Sequence, residues 1–192
     1  GEQAILRYAD RLSLVVFRPP AIYGAGDRAT LPLLRALTRA TCVLPGRPDA
    51  RLSLMHVSDV ARTLADAAVS KRTGIFEIDD GEPGGYDWPK LAAISRSVEG
   101  TPLRLIFLPR PIVYGAGHVS GAVALLRRKA NIFTAKKAAE LFHPNWVAAA
   151  PGWPLDHPIR FAQGLRQTLA WYRAAGWLPK GANTDRSTAD NT

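Results

Sequence analysis

The side chains best placed to do chemistry gather around one stretch. Arg18-Pro-Pro-Ala-Ile-Tyr-Gly-Ala-Gly-Asp27 comes directly after Leu12–Phe17, an apolar run rich in β-branched residues. A run of that length reads as a strand buried on both faces, the kind found in parallel sheets covered by helices. Arg18-Pro19-Pro20 ends it, because proline has no N–H for a ladder and keeps its predecessor extended. Gly24 and Gly26 loosen the next turn, and Asp27 can cap a helix that begins near Ala29. Open α/β sheets bind ligands just beyond the carboxyl ends of their strands, so this loop is the first candidate site. Tyr23, Arg28, Arg51 and His56 are the polar candidates to meet a small-molecule substrate. A guanidinium grips an oxyanion with two parallel hydrogen bonds, which suits Arg28 and Arg51 to anionic groups. The simpler reading of each is a solvated surface arginine, and for His56 a structural hydrogen bond just ahead of a capped helix.

Other constellations carry less. Tyr86-Asp-Trp-Pro-Lys90 has the spacing of an acid/base pair on one helical face. Pro89, however, suits the first turn of a helix, which leaves Tyr86 in the loop before it. Asp59 reads as a first-turn carboxylate favoured by a helix N-terminus. Cys42 sits among apolar residues, so it reads as a buried, inert thiol. No His, Cys, Asp and Glu set has metal-ligand spacing.

These residues need elements to hold them, and the pattern alternates. Glu2–Arg11 reads as the end of a helix, and Leu31–Ala40 as a helix of about three turns. Cys42–Leu44 is a short extended piece before a Pro-Gly turn. Leu52–Val57 reads as a strand, followed by a helix to about Val69 capped by Ser58. Ile75–Ile78 is the next strand, with a helix from Pro89 to about Val98, then a strand over Leu103–Leu108. Pro111–Arg128 and Ala135–Phe142 are expected to be helical, and His143–Pro158 a Pro- and Trp-rich loop. A final helix opens at Pro158 and stops before Gly176. Lys180–Thr192 is polar, lacks an apolar face and is expected to be disordered.

Composition bounds the function. The chain has 192 residues, 47% of them hydrophobic, enough for a sizeable core. No run approaches the length of a membrane span, and no signal-peptide pattern opens the chain, so a membrane partner is not expected. One cysteine excludes an internal disulfide and fits a reducing, cytoplasmic setting. The net charge of +9 comes mostly from scattered arginines. Nucleic-acid binding would want a contiguous basic face with interleaved aromatics, so no nucleic-acid partner is expected.

Three stretches then resemble a known family. Arg18–Asp27 is similar to the R-P-x-x-(V/I)-Y-G-x-G-D element of the extended short-chain dehydrogenases, the NAD-dependent epimerase/dehydratase family. Met55-His-Val-Ser-Asp-Val-Ala61 resembles its H-V-x-D-(V/L)-A element. Gly74-Ile-Phe-Glu-Ile-Asp-Asp-Gly-Glu-Pro83 resembles its G-x-(F/Y)-N-(V/I)-x-x-G-x-P. They stand in family order and spacing, and Gly164–Arg173 is loosely similar to the family's closing helix. The family's Gly-rich phosphate turn and its catalytic Tyr-x-x-x-Lys pair are not seen where they belong. The resemblance therefore implies the C-terminal portion of a longer enzyme, cut just past its catalytic lysine and inactive alone.

The implied fold is α/β: the C-terminal part of a Rossmann-like doubly wound parallel sheet plus a small mixed α/β substrate-binding region. Residues 1–80 would supply the last Rossmann elements with interleaved substrate-side segments, 81–179 the substrate-binding region, and 180–192 a tail. The resemblance places Pro19, Pro20 and Ile22 beside the nicotinamide of NAD or NADP, with Tyr23, Arg28, Arg51 and His56 on the substrate side. The implied reaction is hydride transfer at a carbinol or carbonyl carbon, in an enzyme for which a homodimer stays open. Ala21 stands where sugar-nucleotide enzymes of the family often carry Asn, and Leu-Ser-Leu-Met comes after Arg51 where they favour Asp-Phe. The pattern is closer to the reductase and hydroxysteroid-dehydrogenase-like branches. The alternatives are a non-catalytic binding or assembly subunit on the same fold and, third, a basic nucleic-acid-binding module.

Overall fold

The computed structural model describes residues 1–115, 141–149 and 152–179. The expected helices over Pro111–Arg128 and Ala135–Phe142 fall mostly outside those residues, and the expected tail at 180–192 wholly so.

Parallel strand pairs form the frame. β1 (Val15–Arg18) runs parallel to β6 (Gly74–Glu77), and β2 (Ala21–Tyr23) parallel to β5 (Leu54–His56). β3 (Thr41–Pro45) runs parallel to β8 (Arg104–Leu108). β4 (Arg51–Leu52) joins an antiparallel neighbour, β7 (Tyr86–Asp87), and a parallel one, β9 (Asn145–Trp146). The strand expected over Leu12–Phe17 begins later. Its partner β6 starts at Gly74, which pairs with Val15, so Leu12 precedes the ladder and stays 59% exposed. Among the described residues β1 is half-buried and paired along one edge only, not covered on both faces.

The helices obey their stripes and caps. α1 (Glu2–Leu6) stops before the expected Arg11, and α2 (Leu31–Leu37) before Ala40. Asp27 accepts from the N–H groups of Ala29 (2.7 Å) and Thr30 (3.0 Å), a turn that leads into α2, which starts at the expected Leu31. α3 (Val57–Val69) is capped by His56, not Ser58: the imidazole accepts from the Ser58 N–H. α4 (Trp88–Glu99) has Asp87 as its N-cap, Pro89 in its first turn and Gly100 at φ 68° closing it, a left-handed position that glycine adopts without strain. α5 (Phe161–Ala174) buries Phe161, Leu165, Thr168, Leu169 and Tyr172, a stripe at i, i+4, i+7, i+8 and i+11.

That stripe lies in the main core, with Tyr23, Leu34, Leu44, Tyr86 and Leu91. Each such side chain contributes roughly 1.5–3 kcal/mol when taken from water. Cys42 is fully buried there, and burial pushes its thiol above the ordinary range. A second cluster packs Met55, Ile78 and Trp153 under β1 and β6, with Phe17 and Phe76 edge-on to the indole at 5.0 and 5.1 Å.

Candidate functional site

Pro19 and Pro20 carry the chain from β1 to β2, from one parallel pair to the other, at the carboxyl end of β1. Pro19 is exposed, Pro20 half-buried, and Ile22 36% exposed. The loop thus offers a rigid, largely apolar rim that a flat ring can lie against. Beyond β2 the turn to α2 is tied from two sides. Asp27 holds the Ala29 and Thr30 amides, and the Tyr172 hydroxyl of α5 donates to the Asp27 carbonyl at 2.6 Å.

The four polar candidates divide. Tyr23 and His56 are register partners across β2 and β5, and both lie inside, at 1% and 4% exposure. Their rings meet edge to face at 5.4 Å, and Phe161 closes on Tyr23 at the same distance. The Tyr23 hydroxyl abuts Gly164 of α5, where a Cβ would collide with it. Nδ1 of His56 accepts from the Ser58 N–H at 3.3 Å, so the neutral ring carries its proton on Nε2. Among the described residues neither Tyr23 Oη nor His56 Nε2 has a hydrogen-bond partner. Burial pushes the Tyr23 phenol far up, reinforced by Asp80, and pushes the His56 imidazolium down against the pull of Asp59. Both groups are therefore neutral at physiological pH, and they brace the loop from below.

Arg28 and Arg51 stand on the surface with separate partners. The Arg28 guanidinium lies 4.8 Å above the Trp177 ring. It forms one wall of a shallow cleft of about 280 Å³ with Leu31, Arg35 and Gly176. Arg51 is engaged elsewhere: Nε donates to the Gly84 carbonyl at 2.7 Å, and Nη1 reaches Asp87 at 3.5 Å.

Sequence reasoning passed over a buried acidic pair. Asp79 and Asp80 come just after β6 and are 8% and 0% exposed. Asp79 accepts from Ser53 Oγ and from the Gly81 N–H, both at 2.8 Å. Asp80 accepts from Tyr86 Oη at 2.5 Å and from the Glu82 N–H at 3.1 Å. Tyr86 Oη in turn accepts from the Phe161 N–H at 3.3 Å, joining this knot to the start of α5. Burial raises the Asp80 carboxyl above its ordinary range, against the hydrogen bond from Tyr86. Asp59, fully buried, pairs with Arg62 and accepts from the Ile159 N–H at 2.7 Å. The signal available was the pair of acids at a strand's carboxyl end. The same knot disposes of Tyr86 and Lys90 as an acid/base pair, since the phenol is committed to Asp80 and the ammonium to Glu82.

The fold recurs in solved structures. A UDP-N-acetylglucosamine 4-epimerase from Methanobrevibacter ruminantium superposes with a TM-score of 0.61 at 14% identity, over 91% of this chain and 51% of its own. A UDP-glucose 4-epimerase from Thermus thermophilus, solved with NAD, gives 0.56 at 19% over 91% and 51%. The chain has the extended short-chain dehydrogenase fold. Along the sequence, the chain is similar to a curated relative, the ceramide reductase of Caulobacter vibrioides, 36% identical over 182 residues. That match takes in 94% of this chain and 57% of the relative, so the chain spans about half the length of the proteins it matches. No protein-family model matches it.

Proposed function

We propose that the complete protein is an NAD(P)-dependent reductase acting on a ketone analogue of a ceramide, a long-chain amide whose separate ketone carbonyl becomes a carbinol. The observation that carries this reading is the 36% identity to a ceramide reductase across 94% of the chain. The departures at Ala21 and after Arg51 agree with it, since they remove features favoured by the sugar-nucleotide enzymes.

The rim at Pro19, Pro20 and Ile22 fits the nicotinamide end of the cofactor: it is stiff, apolar and open at a strand's carboxyl end. When bound, the cofactor supplies the hydride that reduces the carbonyl carbon, while a proton goes to its oxygen. Pro19 and Pro20 fix the rim so that one ring face meets the substrate. Tyr23 and His56 hold it from beneath, as positioning residues. Arg28 and Trp177 offer a cationic and an aromatic surface to the polar head of the substrate. In this reading the diphosphate cradle and the proton-transfer pair come from the share of the complete protein that matches the remaining length of its relatives.

Replacing Pro20 by Asp puts a charge against the nicotinamide. In the complete protein this variant is expected to bind NAD(P)H about 10-fold more weakly, a loss of ~1.4 kcal/mol, with its circular dichroism unchanged. Unchanged affinity in a fluorescence titration would remove the loop from the cofactor site.

A further inference from the structure

Two arginines converge on Trp177, just past the end of α5. Gly176 takes a left-handed turn at φ 72°, and the chain folds back so that the Trp177 N–H donates to the Tyr172 carbonyl at 2.7 Å. The indole is held by two neighbours: Tyr172 stacks on it at 5.4 Å, and Trp171 meets it edge-on at 4.9 Å. Arg28 lies over this fixed ring, and Arg35 Nη2 donates to the carbonyl of the same residue at 2.6 Å. Both arginines, with Leu31 and Gly176, line the one cleft of about 280 Å³. A single residue thus sets two cations at a single opening.

Among the described residues, no Asp or Glu lines this cleft, and neither arginine is paired with a carboxylate. The acid nearest to Arg28 in sequence, Asp27, is spent on the Ala29 and Thr30 amides. Two like charges at one opening repel, and an anion between them removes that cost. An aromatic face takes a guanidinium without consuming its N–H donors, so Arg28 keeps its fork for an oxyanion. Arg35 gives one nitrogen to Trp177 and keeps the others. A carboxylate presents one edge and one charge, which a single arginine satisfies. A phosphate monoester presents more oxygens and a second charge near neutral pH, enough to engage both forks. Leu31 and the indole add an apolar wall along which a chain on that phosphate can lie.

We propose that this cleft binds a phosphate monoester, gripped by Arg28 and Arg35 together. Binding of the phosphate needs nothing from the reductase reading. Only its assignment to the substrate rests on that reading, in which Arg28 and Trp177 face the polar head and the cleft gives that head a phosphate.

The test is calorimetric titration of the complete protein with n-hexyl phosphate, inorganic phosphate and n-hexanol. Hexyl phosphate is expected to bind, and hexanol is not. Arg28→Gln and Arg35→Gln are each expected to weaken hexyl phosphate binding about 10-fold or more, since each removes a charge-assisted pair. Arg39→Gln removes the same charge one turn further along the chain, outside the cleft, and is expected to bind as wild type does. Tighter binding of hexyl phosphate than of inorganic phosphate assigns the site to a phosphate carried on a chain, and equal binding assigns it to free phosphate. Failure of both to bind, wild-type affinity in folded Arg28→Gln, or equal weakening by Arg39→Gln would overturn the proposal. If Arg35→Gln fails to fold, Arg28→Gln decides alone, because Arg28 is exposed. Phosphate binding without turnover of a lipid ketone would leave the cleft standing and refute the reductase reading. Turnover without phosphate binding would do the reverse.

Discussion

The His56 ring lies inside the protein with Nδ1 committed to the cap of α3, so an added proton would have to go onto Nδ1 and break that cap. Burial, outweighing Asp59 nearby, holds the folded-state pKa below the ordinary 6.5. In the unfolded chain the ring protonates near that ordinary value. Once the pH falls below it, the unfolded chain binds more protons than the folded one, and stability is lost as the pH falls further. Asn at position 56 keeps an oxygen for the cap and removes the titration. The melting temperature of wild type minus that of His56→Asn is therefore expected to be largest at neutral pH and to shrink as the pH falls from about 6.5 to about 5. A difference that stays flat over that range would mean that the imidazole is not held neutral by the fold.

The contact between β2 and α5 rests on one glycine. At Gly164 a Cβ would collide with the Tyr23 hydroxyl, although alanine favours a helix by about 1 kcal/mol over glycine. Overpacking costs more than that preference returns, so Gly164→Ala is expected to destabilise by about 1–3 kcal/mol. Tyr23→Phe removes a hydroxyl without a partner among the described residues but leaves ring carbons 2.8 and 3.0 Å from that Cβ, so it is expected to relieve only part of the loss in the double variant. Urea midpoints of the four proteins check this, and a more stable Gly164→Ala would contradict the packing. Here the limits of reading a sequence are physical. The stripe of α5 repeats locally and was legible, as were Pro89 in the first turn of α4 and the strand–helix alternation. The start of β1 was not, because it depends on where Gly74 begins the partner strand, far along the chain. Nor was the knot of Asp80, since its partners Tyr86 and Phe161 come from two later elements.

The parallel pairs, the aromatic core and α5 build half of a dehydrogenase fold around a loop whose place is written in local chemistry. The break that Pro19 and Pro20 make at the end of β1 could be read from that chemistry, whereas the inward turn of Tyr23 and His56 required the pairing of β2 with β5. Leu12, Ile5 and Tyr8 remain exposed, and one edge of β1 is unpaired among the described residues. An open strand edge with apolar flanks calls for cover. Under the proposed reading, the remainder of the complete protein provides it and brings the diphosphate cradle with it. The central claim is that this assembly moves a hydride to a lipid ketone. The most direct measurement supplies the complete protein with a ketone analogue of a ceramide and with NADH or NADPH carrying deuterium on one or the other face of the nicotinamide. Mass spectrometry of the product is predicted to find one deuterium on the new carbinol carbon from one face only. Unreduced ketone with every labelled cofactor, or product without deuterium from either face, would contradict it.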